Sequence, residues 1–315
     1  MNLSTVLSLG QTALELGLTC SLTVLALFLS YSMLNVCDMS TDGCFTLGAA
    51  IGAVVALSGH PWLSLGAAML AGVCSGFVVA VLQTRMGVNS LLAGIIVNTG
   101  LYSVNIAVMG GSSLLNMNKA DTVFTIVKAA LEGTAFEGLQ KLVVSGAAVI
   151  LALILLTLFL RTRLGLAIRA TGDNPTMVRS SSINPAFTTT VGLCVANSLT
   201  GLSGCLMAQS QKAVDINLGT GMVTIALASL LIGGTIMGKG GVFKRAVGVV
   251  LGAIIFRLVY TIALRLNMPA FMLKLVSSVI VILAISIPYL RSQMPIVRRK
   301  MGRNSPSGGK GGAAC

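Results

Sequence analysis

Nine apolar stretches, at 12–36, 44–58, 62–83, 90–110, 142–160, 186–208, 223–237, 246–265 and 271–290, recur along this chain between short polar breaks. A helix needs about 20 such residues to cross the hydrocarbon layer of a membrane. Backbone donors and acceptors find no water there, so the spanning solutions are helices or closed barrels. Stretches this long predict helices: an all-α, polytopic membrane bundle of about 8–10 spans. Stretches 44–58 and 223–237 fall short of a full crossing and predict broken or re-entrant segments. Only 9% of residues are charged, against roughly a quarter in soluble domains. Most of the surface therefore faces lipid.

The net charge of +13 would elsewhere point to nucleic acid. Here the basic residues collect between and after apolar stretches, which reads as membrane orientation and no nucleic-acid partner. With the 161–185 loop placed in the cytoplasm, fourteen of the 21 basic residues fall on its side, six fall on the other, and Arg257 lies within a span. The expected organisation is a membrane domain over 1–292, with 161–185 as a cytoplasmic loop and 111–141 as an extracellular amphipathic connector. A basic, flexible cytoplasmic tail over 293–315 follows. The first segment reads as retained, since no basic start and cleavage site accompany it. Seven scattered cysteines read as small buried hydrophobes, and Cys315, as the last residue, makes no prenylation box.

The stretch from Arg161 to Ala186 carries Arg161, Arg163, Arg169 and Arg179 between two apolar stretches. At its centre, Gly172-Asp173-Asn174-Pro175 forms a helix start. Asn174 suits the N-cap, and Pro175 suits the first helical position, where its missing N–H is no loss. A short basic helix between spans is placed to push against another protein, as in a transporter subunit driven by a partner.

Polar groups interrupt the apolar run at Asn35-Val36-Cys37-Asp38-Met39-Ser40-Thr41-Asp42-Gly43. Ionisable residues at membrane depth are functional candidates; an ordinary cytoplasmic turn built on Asp42-Gly43 is the alternative. Asn98, Asn105, Asn197, Ser198, Thr200 and Ser229 lie within apolar stretches, either lining a path or bonding helix to helix. Gly48-x-x-x-Gly52, Gly72-x-x-x-Gly76 and Gly248-x-x-x-Gly252 allow close helix approach. Gly233 to Gly240 nearly matches a phosphate-binding loop. Gly240, however, stands where a Ser or Thr hydroxyl must meet magnesium, so ATP binding is expected on another chain. Arg257 shows no evident carboxylate partner. His60, beside Pro61-Trp62, reads as an interface anchor. With one histidine and eight carboxylates, no catalytic constellation assembles. The tetrapeptides Thr84-Arg85-Met86-Gly87 and Thr162-Arg163-Leu164-Gly165 echo each other, as a repeat or as convergent basic stops.

Several of these motifs, in order, resemble permeases of ATP-binding-cassette importers in the ribose and branched-chain amino acid superfamily. The first is Asp38-Met39-Ser40-Thr41-Asp42-Gly43 with Leu47-Gly48-Ala49. Gly87-Val88-Asn89-Ser90-Leu91-Leu92-Ala93-Gly94 follows. Next come Gly165, Arg169-Ala170, Gly172 and Asn174-Pro175, and then Ile232-Gly233-Gly234-Thr235 with Gly240-Gly241. The resemblance covers about residues 10–290 and looks closest to a branch linked to tryptophan and tyrosine uptake. It implies a multi-pass subunit of the bacterial cell membrane that carries a small solute inward, an amino acid as the expected class, without a cofactor.

The resemblance also implies two ATP-binding cassette ATPase subunits, an extracellular solute-binding protein and a second permease copy. Contact with the ATPase would fall on Arg169, Gly172, Asp173, Asn174, Pro175, Arg179, Ser182 and Ile183. The translocation path would draw on Asp38, Ser40, Thr41, Asp42, Asn98, Asn105 and Asn197. Val178 and Ser182 depart from the family pattern, which usually carries Ala and Gly there. An ion-coupled secondary transporter, using Asp38 and Asp42, is the rival reading.

Overall fold

A computed structural model of the chain describes residues 3–131, 138–238 and 240–265, with isolated positions between 275 and 286. The 293–315 tail and most of the 271–290 stretch lie outside the described residues. Helix α1 (Leu3–Leu27) runs into a π-helical turn (Phe28–Met33). After an irregular segment come α2 (Thr41–Leu57), α3 (Pro61–Thr84) and α4 (Ser90–Val108). Strand β1 (Leu114–Asn116) and α5 (Val123–Leu131) lead to α6 (Gln140–Arg161), α7 (Arg163–Asp173), α8 (Pro175–Ser180) and α9 (Pro185–Gln211). Strand β2 (Ala213–Asp215), α10 (Met222–Met237) and α11 (Val242–Arg265) complete the order. Six of the described helices are long and apolar enough to span a membrane, while α2 and α10 are shorter. The class is therefore the expected polytopic helical bundle. A small antiparallel pairing of β1 with β2, Leu115 opposite Val214, was not legible in the composition.

Glycine contacts set the helix directions. Gly48 and Gly52 of α2 lie on Gly201 and Cys205 of α9, so those two helices are parallel. Gly72 and Gly76 of α3 lie on Asn197 and Leu193, so α3 opposes α9. Helix α1 opposes both α9, with Ser203 Oγ donating to the Thr19 carbonyl at 2.7 Å, and α11, with Arg257 beside Cys20 and Arg245 beside Ser32. Gly233 on Gly248 sets α10 against α11.

Two units of opposite sense result. In α1–α3 a long helix, an interrupted segment and a second long helix succeed one another; in α9–α11 the same succession runs the other way. The tetrapeptide echo is not part of this relation. Thr84 merely ends α3, whereas the Thr162 hydroxyl caps α7 by accepting the Gly165 amide at 3.2 Å.

Lipid supplies no hydrophobic force between helices, so backbone approach holds the units together. A methyl group at Gly48 would overlap the carbonyl of Gly201, and one at Gly204 that of Phe45. Gly48→Val is expected to prevent assembly, since overpacking costs about 1–3 kcal/mol and more where backbone must move. Gly66→Ala, where nothing lies within 4 Å, is expected to be silent. Monodispersity and thermal unfolding in detergent check both.

Candidate functional site

The interrupted segment after α1 lies in the middle of the bundle. Cys44, in the first turn of α2, donates its thiol to the carbonyl of Asn197 at 3.4 Å, and Asn197 is the thirteenth of 27 residues in α9. Asp38 is buried here. Its Oδ1 accepts from the Ser40 amide at 2.8 Å and the Ser40 hydroxyl at 2.6 Å, and its Oδ2 from Asn197 Nδ2 at 2.8 Å. The Thr41 hydroxyl donates to the Asp38 carbonyl at 3.0 Å. The polar groups of Asp38, Ser40, Thr41 and Asn197 thus satisfy one another inside the bundle. Asn197→Leu removes the one partner that this buried carboxylate oxygen has among the described residues, which costs on the order of 1–3 kcal/mol. A lower unfolding temperature than that of a neighbouring control such as Ser198→Ala is the expected result.

Asp42 joins the two interruptions. From the first turn of α2 its Oδ2 accepts the Gly221 amide at 2.9 Å and its Oδ1 the Val223 amide at 2.8 Å. Gly221 is the N-cap of α10 and has no side chain to bond the free amides itself. The carboxylate of one broken helix therefore caps the next, at the positive end of that helix dipole. Thr46 adds a hydroxyl that accepts the Gly219 amide at 3.1 Å. Asn105 donates Nδ2 to the Gly43 carbonyl at 3.2 Å, and its Oδ1 is buried without a partner. Asn98, one heptad earlier on α4, is half-exposed and packs its Oδ1 over Gly43, with no hydrogen bond among the described residues.

At the end of the bundle where α1 finishes, α7 and α8 project. Asn174 caps α8 as its sequence predicts, with Oδ1 accepting the Thr176 and Met177 amides at 3.1 Å each, and Pro175 takes the first helical position. Asp173, Asn174, Pro175, Arg179, Ser182 and Ile183 are exposed, and Arg169 is half-buried. Gly172 presses on the end of α1, where a methyl group would overlap the Met33 carbonyl. Val178 is buried, so this departure from the family pattern faces the bundle rather than a partner. Ser182 adopts a positive φ of 61°, a conformation glycine takes more readily.

Other candidates fall elsewhere. Gly233 to Met237 ends α10, and Gly238 turns the chain toward α11. Arg257 is buried between α1 and α11, with Nη2 donating to Cys20 Sγ at 2.8 Å and its guanidinium over the Tyr260 ring at 5.5 Å. Trp62 is exposed at the start of α3, as an interface anchor requires. Cys20, Cys44 and Cys205 are buried; Cys74 is exposed, against expectation. Sequence reading passed over Tyr102 and Ser103, both exposed on α4 and without a hydrogen bond among the described residues.

A membrane bundle built around two interrupted helices, with short helices projecting from one end, is the architecture of a transport subunit. The family of the permease component of branched-chain amino acid transport systems matches residues 11–285. The chain belongs to that family, and is a multi-pass transport subunit rather than an enzyme. It is similar to the tyrosine transport system permease protein of Clostridioides difficile (strain R20291), 33% identical over 267 residues that cover 84% of this chain and 86% of that protein. The ribose import permease protein of Escherichia coli (strain K12) is 26% identical over 79% of this chain and 75% of its own length. A probable branched-chain amino acid transport permease protein of Methanocaldococcus jannaschii is 28% identical over 69% of this chain and 64% of its own. No solved structure matches the chain. Membership in this family of ATP-binding-cassette permeases implies, in general terms, ATPase and solute-binding partners.

Proposed function

We propose that this permease carries an amino acid, aromatic in class, into the cell. ATPase subunits drive it at the α7–α8 end, and a solute-binding protein delivers the solute at the β1–β2 end. A second copy of the chain completes the path. The basic residues of the 161–185 loop put the α7–α8 end in the cytoplasm. The similarity to a tyrosine permease supports the solute class.

One observation carries the coupling. Met177 and Arg179 are exposed on α8, while Val178 is buried beneath them and Gly172 abuts the Met33 carbonyl. Force applied to α8 therefore reaches the end of α1, and from there the segment leading to Asp38. Arg169, Gly172, Asp173, Asn174, Pro175, Arg179, Ser182 and Ile183 form this transmission. Asp38, Ser40, Thr41, Asp42, Asn98, Asn105 and Asn197 shape the interrupted centre, Asn98 with its Oδ1 against Gly43 of α2. ATP hydrolysis then shifts the population between two arrangements of the centre.

Reconstitution in proteoliposomes with the ATPase and binding protein tests this reading. Uptake of tyrosine or tryptophan that requires ATP is the expected result. Uptake driven by an ion gradient without any ATPase subunit would overturn it in favour of a secondary transporter.

A further inference from the structure

Helices α3 and α9 pass each other with their backbones in contact at glycines. A methyl group at Gly72 would overlap the Asn197 carbonyl, and one at Gly76 would crowd the Leu193 carbonyl. Past Gly76, toward the end of the bundle that carries α7 and α8, larger side chains stand beside this seam. There the two helices leave an open groove of about 600 Å³. That lies within the range of about 300–1,000 Å³ that small molecules occupy.

The α3 wall carries Phe77, Val81 and Arg85, four residues apart and so stacked on one helix face. The α9 wall carries Thr190, Phe187 and Asn184, three residues apart. Both walls change character in the same direction. From Phe77 to Arg85, about 12 Å at 1.5 Å per residue, the lining passes from a ring through an aliphatic side chain to an exposed cation. From Thr190 to Asn184 it passes from a hydroxyl already bonded to the Ala186 carbonyl at 2.8 Å, across a second ring, to an exposed amide. Thr84, also in the lining, donates its hydroxyl to the Ala80 carbonyl at 2.7 Å.

The inner part of the groove therefore suits hydrocarbon, and its outer end offers positive charge. Arg85 supplies that charge, and the N-terminus of the 27-residue α9, capped by Asn184, adds the positive end of a helix dipole. No carboxylate lines the groove among the described residues. A basic stop signal accounts for Arg85 alone. It leaves unexplained the two rings that flank the groove beneath it, Phe77 and Phe187, which are 54% and 55% exposed.

We propose that this groove binds an anionic phospholipid of the cytoplasmic leaflet, with the phosphate on Arg85 and an acyl chain across Phe77, Val81 and Phe187. The site lies apart from the interrupted centre. It uses only the cytoplasmic placement of the α7–α8 end, proposed above with the transport function. Positive charge at that surface meets the leaflet in which anionic lipids concentrate. A zwitterionic lipid presents the same chain but brings a cation toward Arg85, so the groove discriminates by head-group charge.

Tryptophan quenching by brominated lipids tests the proposal. Trp62, the single native tryptophan, is replaced by phenylalanine, and Phe187→Trp places the reporter in the groove. Leu158→Trp is the reference, on the exposed face of α6 and three residues from Arg161. Each protein is reconstituted in mixed phosphatidylcholine and phosphatidylglycerol vesicles, with one lipid or the other brominated in its chains. One basic side chain beside an anionic head group is worth roughly fivefold in binding. Phe187→Trp is expected to show about that preference for phosphatidylglycerol, and to lose it when Arg85→Gln is added. Leu158→Trp is expected to show a clearly smaller preference, because an unconfined exposed charge contributes little.

Equal quenching by the two lipids at Phe187→Trp would overturn the assignment. So would a preference that Arg85→Gln leaves unchanged, or one that Leu158→Trp matches. Quenching by neither lipid would mean that protein covers the groove, which sinks the proposal as well. Sodium phosphate, compared with sodium chloride at equal ionic strength, is expected to leave the preference intact; its selective loss would mean a site for free phosphate instead of lipid. If Phe187→Trp does not insert, Phe77→Trp reports from the opposite wall. None of these measurements involves transport, so the lipid site and the importer reading fail separately.

Discussion

Gly172→Val is expected to reduce ATP-driven uptake severely while the protein still inserts and purifies. A methyl group at Gly172 already overlaps the Met33 carbonyl, with the Leu34 backbone close behind. Backbone cannot rotate aside as a side chain can, so α7 must lift from the end of α1. Overpacking of this kind costs about 1–3 kcal/mol, small beside the stability of the whole bundle but applied at one contact. Since each 1.4 kcal/mol is tenfold in rate, uptake should fall by roughly fivefold to a hundredfold. The reading to take is solute-stimulated against basal ATP hydrolysis in the reconstituted complex. Basal hydrolysis is expected to persist and the stimulation to disappear. Stimulation at the native level in a correctly inserted Gly172→Val protein would remove this contact from the transmission. Arg169→Glu, half-buried on the same helix, is expected to act in the same direction.

Asp42→Ala carries the second large effect. Its carboxylate accepts the Gly221 and Val223 amides, which belong to a helix start that has no cap of its own. Truncation strands both amides at membrane depth. Each buried unsatisfied donor costs about 1–3 kcal/mol, so the loss is roughly 2–6 kcal/mol, with the helix-dipole contribution lost as well. Asp42→Asn keeps one carbonyl oxygen and should fall between. The order native, Asn, Ala is expected both in thermal unfolding in detergent and in uptake. A secondary transporter that uses Asp42 as its ion ligand would instead lose gradient-driven transport in Asp42→Asn with stability unchanged.

Asp42 also shows where sequence reading runs out. Two aspartates in an apolar run mark a special place, and the run's shortness marks a break. Neither tells which helix end the carboxylate will cap, because Gly221 lies 179 residues away in a segment whose own signal is only glycine. Val178 makes the complementary point. As a departure from the family pattern it drew attention to the partner surface, but its side chain is buried against the bundle. A six-residue helix shows no periodicity that could have told its faces apart. Asn98 and Asn105, seven residues apart on α4, were equal candidates in the sequence. The structure separates them: Asn105 is buried and bonds the Gly43 carbonyl, whereas Asn98 is half-exposed and only packs against Gly43.

The sequence by itself determined the class: a helical membrane bundle, two short interrupted segments, and a short capped helix at Asn174-Pro175. These follow from local rules. Hydrocarbon demands continuous apolar length and self-satisfied backbone, and a cap is written within four residues. The tertiary structure alone decided that the two interruptions meet at mid-depth and that their units run in opposite senses. Those outcomes depend on backbone-to-backbone contacts at Gly48, Gly72, Gly172 and Gly233. A glycine in the sequence announces that something passes closely, and only the folded chain says what.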